Sequence, residues 1–348
     1  MSNPEVTVLM SVYNRSKYLR EAIDSILGQT LTSFEFIVVD DGSTDRTWDI
    51  LTEYANQDQR IVLLQNRKNL GLSQSLNKGL VLAQGNYIAR QDADDVSMRE
   101  RLATQIGYFE QQPRVGLLGT AYYVIDSQGQ QRTVHRHPET DTEIRWQMLF
   151  HNAFCHSSVM FRRDFLNRES LFYDENLPYS QDYELWNRML QQTSAANLKT
   201  PLVAWRKSDG AVSTTRREEQ QRIATIISAR QIKRLLPHRP ITLSEVAMLR
   251  DSHYGFSQRP GKQHVKLCLL LVQILGAFKE QSKVDAVAWN RIFRNRIDHV
   301  LSCLTAARRW DASAAAILAD LLRLDALGTV MHLTRRAINS IDRKVKVA

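Results

Sequence analysis

An α/β fold is what this sequence predicts: a mostly parallel central sheet flanked by helices, followed by a helical extension. Three observations carry that prediction. Short β-rich runs alternate with helix-period patterns through residues 5–105. Two of the β runs end in crowded acids, "VVDDGSTD" (Val38–Asp45) and "RQDADD" (Arg90–Asp95). From about Arg216 onward the pattern is almost wholly helical, broken near "LPHRP" and "SQRPG".

Taken in order, "VTVLMSV" (Val6–Val12) is a β-branched run that predicts the first strand. Leu19, Ala22, Ile23, Ile26 and Leu27 then fall on one helical face. "FEFIVVD" (Phe34–Asp40) predicts the second strand, and Trp48, Leu51 and Tyr54 mark the next helix. "RIVLLQN" (Arg60–Asn66) predicts a third strand. Leu76, Leu80 and Ala83 predict a helix with Gly85 as its C′ residue. "NYIARQDAD" (Asn86–Asp94) is a fourth strand running into acids. Beyond Leu117 the pattern loosens: "VGLLGTAYYVID" and "SSVMFRR" read as strands, "QDYELWNRML" as a helix start and "PLVAWRKS" as a last strand. No repeat or low-complexity segment is visible.

With 348 residues the chain is longer than most single domains, and length suggests about two. We expect a boundary near residue 215, giving an α/β domain over 1–215 and a basic, mainly helical domain over 216–348. Hydrophobic content of 43% is ordinary for a soluble protein with a core. Cys155, Cys268 and Cys303 fit no zinc or disulfide spacing, so a reducing compartment is expected. Met1–Glu5 is polar and leads straight into the first strand, so no secretory leader is expected. The apolar run Leu267–Phe278 is shorter than the ~20 residues a bilayer span needs, and reads as a buried helix. The net charge of +9 hides an asymmetry: −4 over 1–215 and +13 over 216–348. A basic helical tail suits an anionic surface, or is simply a solvated face; both readings stay open. Sparse aromatics there argue against nucleic acid.

In a parallel α/β sheet ligands bind outside the carboxyl ends of the strands. Asp40 and Asp41 end one strand; Asp92, Asp94 and Asp95 end another. Both groups are therefore expected on one rim. Like charges crowded as in "QDADD" repel unless something neutralises them, and a hard divalent cation such as Mg²⁺ or Mn²⁺ does so well. An Asp-rich surface turn is the plainer alternative. "NRKNLGLSQSLNKGL" (Asn66–Leu80) puts basic residues and Gly71 ahead of a helix N-terminus, a plausible anion-facing loop. Asp182 opens a helix in "PYSQDYELW", where a cap and a base are both possible roles.

Taken together, "VTVLMSVYNRSKYLREAIDSILGQTLTSFEFIVVDDGSTDRT", "NLGLSQSLNKGL" and "GNYIARQDADDVSMRERL" resemble the family 2 glycosyltransferases of GT-A fold over residues 5–105. "HSSVMFRR", "QDYELW" and "AWRKSDGAVS" are similar to that family's acceptor-side segments more loosely. The resemblance implies roles. Tyr13 would lie against the nucleotide base, and Asp41, with Asp40 beside it, would bond base or ribose. Asp92 and Asp94 match the DXD motif that holds Mg²⁺ or Mn²⁺ and the donor diphosphate, with Asp95 close by. Lys68 and Asn77 are weaker donor contacts. Asp182 stands in the family's "ED" pair, here Gln181–Asp182, as general base. Arg206 and Ser213 would edge the acceptor site or a lid. His156 reads as a core or loop histidine rather than a catalytic one.

The resemblance implies inverting transfer of one sugar from a nucleotide-sugar donor, expected to be a UDP-sugar, to a saccharide or lipid-linked hydroxyl in cell-surface polysaccharide synthesis. A cytoplasmic location is expected, with peripheral contact at the inner face of the membrane and a homodimer as further options. Two departures stand out. Arg99 replaces a common Pro, and no "QxxRW" follows Asp182, which implies a non-processive enzyme. A nucleotidyltransferase or a dinucleotide enzyme would carry a Gly-rich turn after the first strand, and "SVYNRSKYL" has none. A catalytically inactive nucleotide-sugar-binding protein is opposed by the complete set of carboxylates.

Overall fold

The computed structural model describes residues 3–167, 171–207, 216–252, 262–306, 312–326, 329, 330 and 333. It contains two compact units: Met1–Ile144 with Asn152–Ala224, and Arg145–His151 with Thr225–Ala348.

The first unit is built on one mixed sheet. Its strands are β1 (Val6–Val12), β2 (Phe34–Asp40), β3 (Ile61–Gln65), β4 (Tyr87–Asp92), β5 (Val96–Ser97), β6 (Val115–Ile125), β7 (Gln131–His135), β8 (Met160–Arg162) and β9 (Ser194–Arg206). They lie in the order β3-β2-β1-β4-β8-β6-β9-β5, with β7 paired to β6. The β3-β2-β1-β4 block is parallel, and β8 runs antiparallel to both β4 and β6. Every residue of β1 is buried, as expected of a parallel strand covered on both faces.

Helices α1 (Ser16–Leu27), α2 (Thr47–Gln57), α3 (Leu72–Leu82), α4 (Arg101–Gln111), α5 (Asp141–Gln147) and α6 (Gln181–Met189) fill the connections. Helix α1 buries Leu19, Ala22, Ile23 and Ile26, the stripe its sequence period dictates. Helix α3 presses Gly79 onto the sheet: a Cβ there would lie 2.3 Å from Leu9 Cδ1. Gly85 is not the C′ residue of α3. The helix stops at Leu82, with Ala83 already extended. Gly85 instead donates its N–H to Thr7 Oγ1 at 2.9 Å, and a Cβ would come within 2.3 Å of the Thr7 nitrogen. A close backbone pass, not a helix end, calls for glycine there.

In the second unit, helices α7 (Arg217–Leu235, from Thr225 onward), α8 (Leu243–Ser252), α9 (Lys262–Gln281), α10 (Ala286–Ala306) and α11 (Ala312–Leu324) share a core with Trp146, Leu149 and Phe150. Leu267, Leu271, Ile274, Leu275 and Phe278 of α9 are all buried in it. The apolar run is thus a core helix. Among the described residues no helix is long and apolar enough to cross a membrane.

Candidate active site

Sheet register brings the acids together. Within the parallel block Val12 pairs with Asp40, Ser11 with Asp92, and Asp40 with Gln65. The carboxyl ends of β1, β2 and β4 therefore share a rim, and both acid groups stand on it. Tyr13, the first residue past β1, is 43% exposed there. The turn that follows reaches the second acid group, with Arg15 Nε 3.9 Å from Asp94 Oδ2.

The two crowded acids of "VVDDGSTD" face different partners. Asp40 accepts from the Ser43 N–H and from Gln65 Nε2 at 3.2 Å. Asp41 accepts from Asn66 Nδ2 at 2.8 Å, the Leu70 N–H at 2.8 Å and the Gly71 N–H at 2.9 Å. Both carboxylates are buried, so each is satisfied inside the fold, as buried charge must be. Asp41 is the anchor of the loop 66–71. That loop lies directly on Gly42, which has φ +74°, and a Cβ at 42 would sit 2.6 Å from the Lys68 carbonyl carbon. Lys68 itself is exposed on this loop. Asn14 ties the neighbouring turn in place, its Oδ1 accepting from the Thr44 N–H at 2.8 Å.

The second group is a turn over a buried polar bed. Asp92 is bonded by Arg90 Nη2 and by Ser157 Oγ, the latter at 2.8 Å. Arg90 lies wholly inside the sheet, donating from Nη1 to the Leu9 carbonyl at 2.9 Å. Burial is the largest effect on Asp92 and opposes its charge, but Arg90, His156 and the Ser157 hydroxyl together hold this carboxyl below the ordinary range. Asp94 and Asp95 go the other way. Burial first, then the charge of Asp92, raises both, and Asp95 stands well above the usual carboxylate value. Asp95 bonds Ser157 Oγ and accepts the Arg206 N–H at 2.8 Å. Beneath the turn, buried Gln91 donates to the Asp95 carbonyl at 2.8 Å and accepts from Arg101 Nη1 at 3.0 Å. Among the described residues no group of three or more His, Cys, Asp or Glu side chains is arranged to hold a metal ion; Asp92 and Asp95 spend their oxygens on Arg90, Ser157 and Arg206.

Asp182 comes from a different element but lies within the field of Asp92. It is the second residue of α6, after Ser180 in the left-handed region at φ 57°. Its Oδ2 accepts from Asn152 Nδ2 at 2.7 Å and its Oδ1 from the Tyr183 N–H at 2.8 Å. Burial pushes its carboxyl up to about 6, with the field of Asp92 adding to the rise. His156 belongs to the polar bed beneath Asp92. Its Nε2 accepts from Arg90 Nε at 3.0 Å and lies 2.9 Å from the Tyr173 hydroxyl. Burial, then the Arg90 charge, lowers it to about 3, so it is a neutral acceptor in the fold.

Several expected site residues are committed elsewhere. Asn77 donates to the Tyr173 carbonyl and to Glu175 Oε1, both at 2.9 Å, and accepts the Tyr173 N–H. Arg206 is 2% exposed. It donates from Nε to the Asp94 carbonyl at 2.9 Å, pairs with Glu21 and covers the Tyr18 ring at 4.5 Å. That places it under the acidic turn rather than on an open edge. Ser213 lies outside the described residues. Arg90, Arg101, Gln91, Ser157 and Asn152 were not singled out from sequence. An arginine inside the strand run "YIARQD" was the available signal, since charge in a central strand needs a buried partner.

Residues 7–169 match the family model described as "Glycosyl transferase family 2". The chain is 31% identical over 237 residues to an uncharacterized glycosyltransferase of Haemophilus influenzae, covering 66% of this chain and 73% of that one. It is 34% identical over 214 residues to the amylovoran biosynthesis glycosyltransferase AmsE of Erwinia amylovora, covering 60% and 79%. Among solved structures it is similar to S. aureus TarS 1–349 in complex with UDP, at 18% identity and TM-score 0.54, covering 87% of this chain and 90% of that one. It is also similar to the mannosyltransferase PcManGT from Pyrobaculum calidifontis in complex with GDP-Man and Mn²⁺, at 16% identity and TM-score 0.50, covering 93% and 87%. The sheet with its flanking helices is the GT-A fold of those neighbours, and the chain belongs to glycosyl transferase family 2 and is a glycosyltransferase.

Proposed function

We propose that this enzyme moves one sugar, with inversion, from a nucleotide-sugar donor to a hydroxyl of a saccharide or lipid-linked acceptor. The observation that carries this reading is a pair of acidic centres on different elements. Asp92, Asp94 and Asp95 crowd one strand end, while Asp182, on α6 and within the field of Asp92, has its carboxyl raised to about 6. A carboxylate near neutrality is matched to taking a proton from an attacking hydroxyl.

The following roles belong to this proposal. Tyr13 offers an exposed ring to the base, and Asp41 shapes that pocket by holding the loop that carries Lys68. Asp40 and Asn77 support the donor pocket through the backbone they fix. Asp92 and Asp94, with Asp95 behind them, would hold Mg²⁺ or Mn²⁺. When bound, such an ion supplies positive charge at the departing diphosphate. Asp182 removes the acceptor proton as the acceptor oxygen bonds the anomeric carbon. The bond from that carbon to the diphosphate oxygen breaks, and the nucleoside diphosphate leaves with the electron pair. Arg206 keeps the Asp94–Asp95 turn in place.

A role in cell-surface polysaccharide synthesis is supported by the similarity to AmsE, and a UDP-sugar by the likeness to TarS. We assign catalysis to residues 1–215 and a basic helical domain to 216–348, which carries +13 and would rest on anionic lipid at the inner face of the membrane. A nucleotide-release screen tests the reading, using UDP-, GDP- and dTDP-sugars with and without Mn²⁺ or Mg²⁺. Metal-dependent release that Asp94→Ala abolishes is expected. Asp182→Asn should bind donor yet lose transfer by about 10²–10⁴-fold; transfer at the wild-type rate would remove Asp182 from the base role.

A further inference from the structure

Four aromatic rings gather where β6, β7 and β9 pair. The Tyr122 ring lies 5.0 Å from His135, 5.7 Å from His137 and 6.3 Å from Trp205, and the two imidazoles are 4.9 Å apart. Register explains the gathering. Tyr122 pairs with His135 on one side, and Val124 pairs with Trp205 on the other. Tyr122 and Val124 are two apart on one strand, so these side chains share a sheet face. Trp205, Tyr122 and His137 are half-buried and His135 is exposed.

Residues next to the cluster in the chain, or bonded to those residues, reach both acidic centres of the first unit. Trp205 is followed directly by Arg206, whose N–H bonds Asp95 and whose Nε bonds the Asp94 carbonyl. Arg206 points to the opposite face and clamps the turn, leaving Trp205 on the aromatic face. At the other end His137 precedes Pro138. Asn197 Nδ2 donates to the Pro138 carbonyl at 2.7 Å and to the Ala153 carbonyl at 3.0 Å. The next residue back, Asn152, bonds Asp182. One continuous strand-and-loop path thus runs from the acidic turn, through the aromatic face, to the carboxylate on α6.

Nothing in the fold accounts for His137. Both its ring nitrogens are buried without a hydrogen-bond partner among the described residues, whereas buried polar atoms are normally paired. It contributes an aromatic surface rather than a link in a polar network. Burial, then the neighbouring His135, lowers His137 to about 4, and burial lowers His135. The surface is therefore uncharged at neutral pH, which suits a neutral ligand.

We propose that Tyr122, His135, His137 and Trp205 form the platform on which the sugar ring of the acceptor stacks. This deepens the glycosyltransferase reading and rests on it. A pyranose offers a flat face of polarised C–H groups with hydroxyls around its rim, and aromatic rings attract such groups through their electron-rich faces. The platform presents four rings on strands whose neighbouring residues bond the proposed donor turn and, through Asn197 and Asn152, lead to the proposed base. It selects a saccharide over a bare alcohol or phosphate.

Saturation-transfer NMR on the full chain with UDP and diamagnetic Mg²⁺ tests this. The probes are the methyl glycosides of glucose, galactose, mannose and N-acetylglucosamine. Saturation is expected on the ring protons of at least one of them. Its apparent Kd should rise about two- to tenfold in Trp205→Ala and rise measurably in His135→Ala, a change on an exposed strand that spares the core. Trp205→Phe should keep most of the affinity. No ring-proton saturation for any glycoside on the wild type, or unchanged affinity in both alanine variants, overturns the platform. A wild-type dimer that Trp205→Ala dissociates also overturns it, since a second copy then covers this face. Nucleotide release by the wild type, measured separately, tells failure of the platform from failure of the underlying reading.

Discussion

Asn152→Ala should move the acid limb of the rate profile upward without abolishing turnover. Asp182 must be ionised to accept a proton, and burial already sets its carboxyl at about 6. In the wild type, kcat should therefore rise with pH through about 6 and level off above it. Asn152 Nδ2 donates to Asp182 Oδ2 at 2.7 Å, and that bond favours the charged form. A hydrogen bond to a charged group contributes about 1.5–3 kcal/mol, and one pKa unit corresponds to about 1.4 kcal/mol. Full loss would raise the carboxyl by about 1–2 units; water entering the vacated space recovers part of it, so about one unit is expected. The limb then moves from about 6 to about 7, and kcat at pH 6 falls about fivefold while the two profiles converge above about pH 8. The assay is kcat at saturating donor and acceptor, from about pH 5 to 9 at fixed ionic strength, because kcat reports groups in the bound complex. A limb that stays put in Asn152→Ala, or a wild-type limb at an ordinary carboxylate value, refutes the assignment of Asp182 as the titrating base.

Asp41→Ala strips the acceptor from Asn66 Nδ2 and the Leu70 and Gly71 N–H groups at once; a loss of about 3–6 kcal/mol in urea unfolding is expected, and stability within about 1 kcal/mol of wild type would remove Asp41 as the loop's anchor. Gly42→Ala forces a Cβ to 2.6 Å from the Lys68 backbone at φ +74°; a cost of about 2–4 kcal/mol and weaker UDP binding by calorimetry are expected together, and binding that survives intact would detach the 66–71 loop from the donor pocket.

How much was legible differs from element to element. β1 and β2 were plain because a parallel strand buried on both faces reads as a continuous apolar run, whereas β4 keeps only Tyr87–Ala89 of such a run before Arg90, Gln91 and Asp92. α1 was plain because Leu19, Ala22, Ile23 and Ile26 repeat at the helical period. β7 was missed, since "QRTVH" is largely exposed and carries no alternation strong enough to mark it. Gly85 was misplaced because a glycine needed for a close backbone pass looks the same in sequence as one that ends a helix.

By itself, then, the sequence determined the α/β class and the identity of the acids on the rim, because strand period, chain direction and residue type are local properties, and its motifs carried the resemblance to the family. Tertiary structure alone decided what those acids face. Asp41 turns inward to three donors, Asp92 is held charged by Arg90 from inside the sheet, and Asp182 is raised to about 6 by its burial. Arg206 and Trp205 are neighbours in the chain yet serve opposite faces of β9. Hydrogen-bond partners, desolvation and the field of distant charges all depend on residues tens of positions away. No pattern along the chain encodes them until the sheet has brought those residues together.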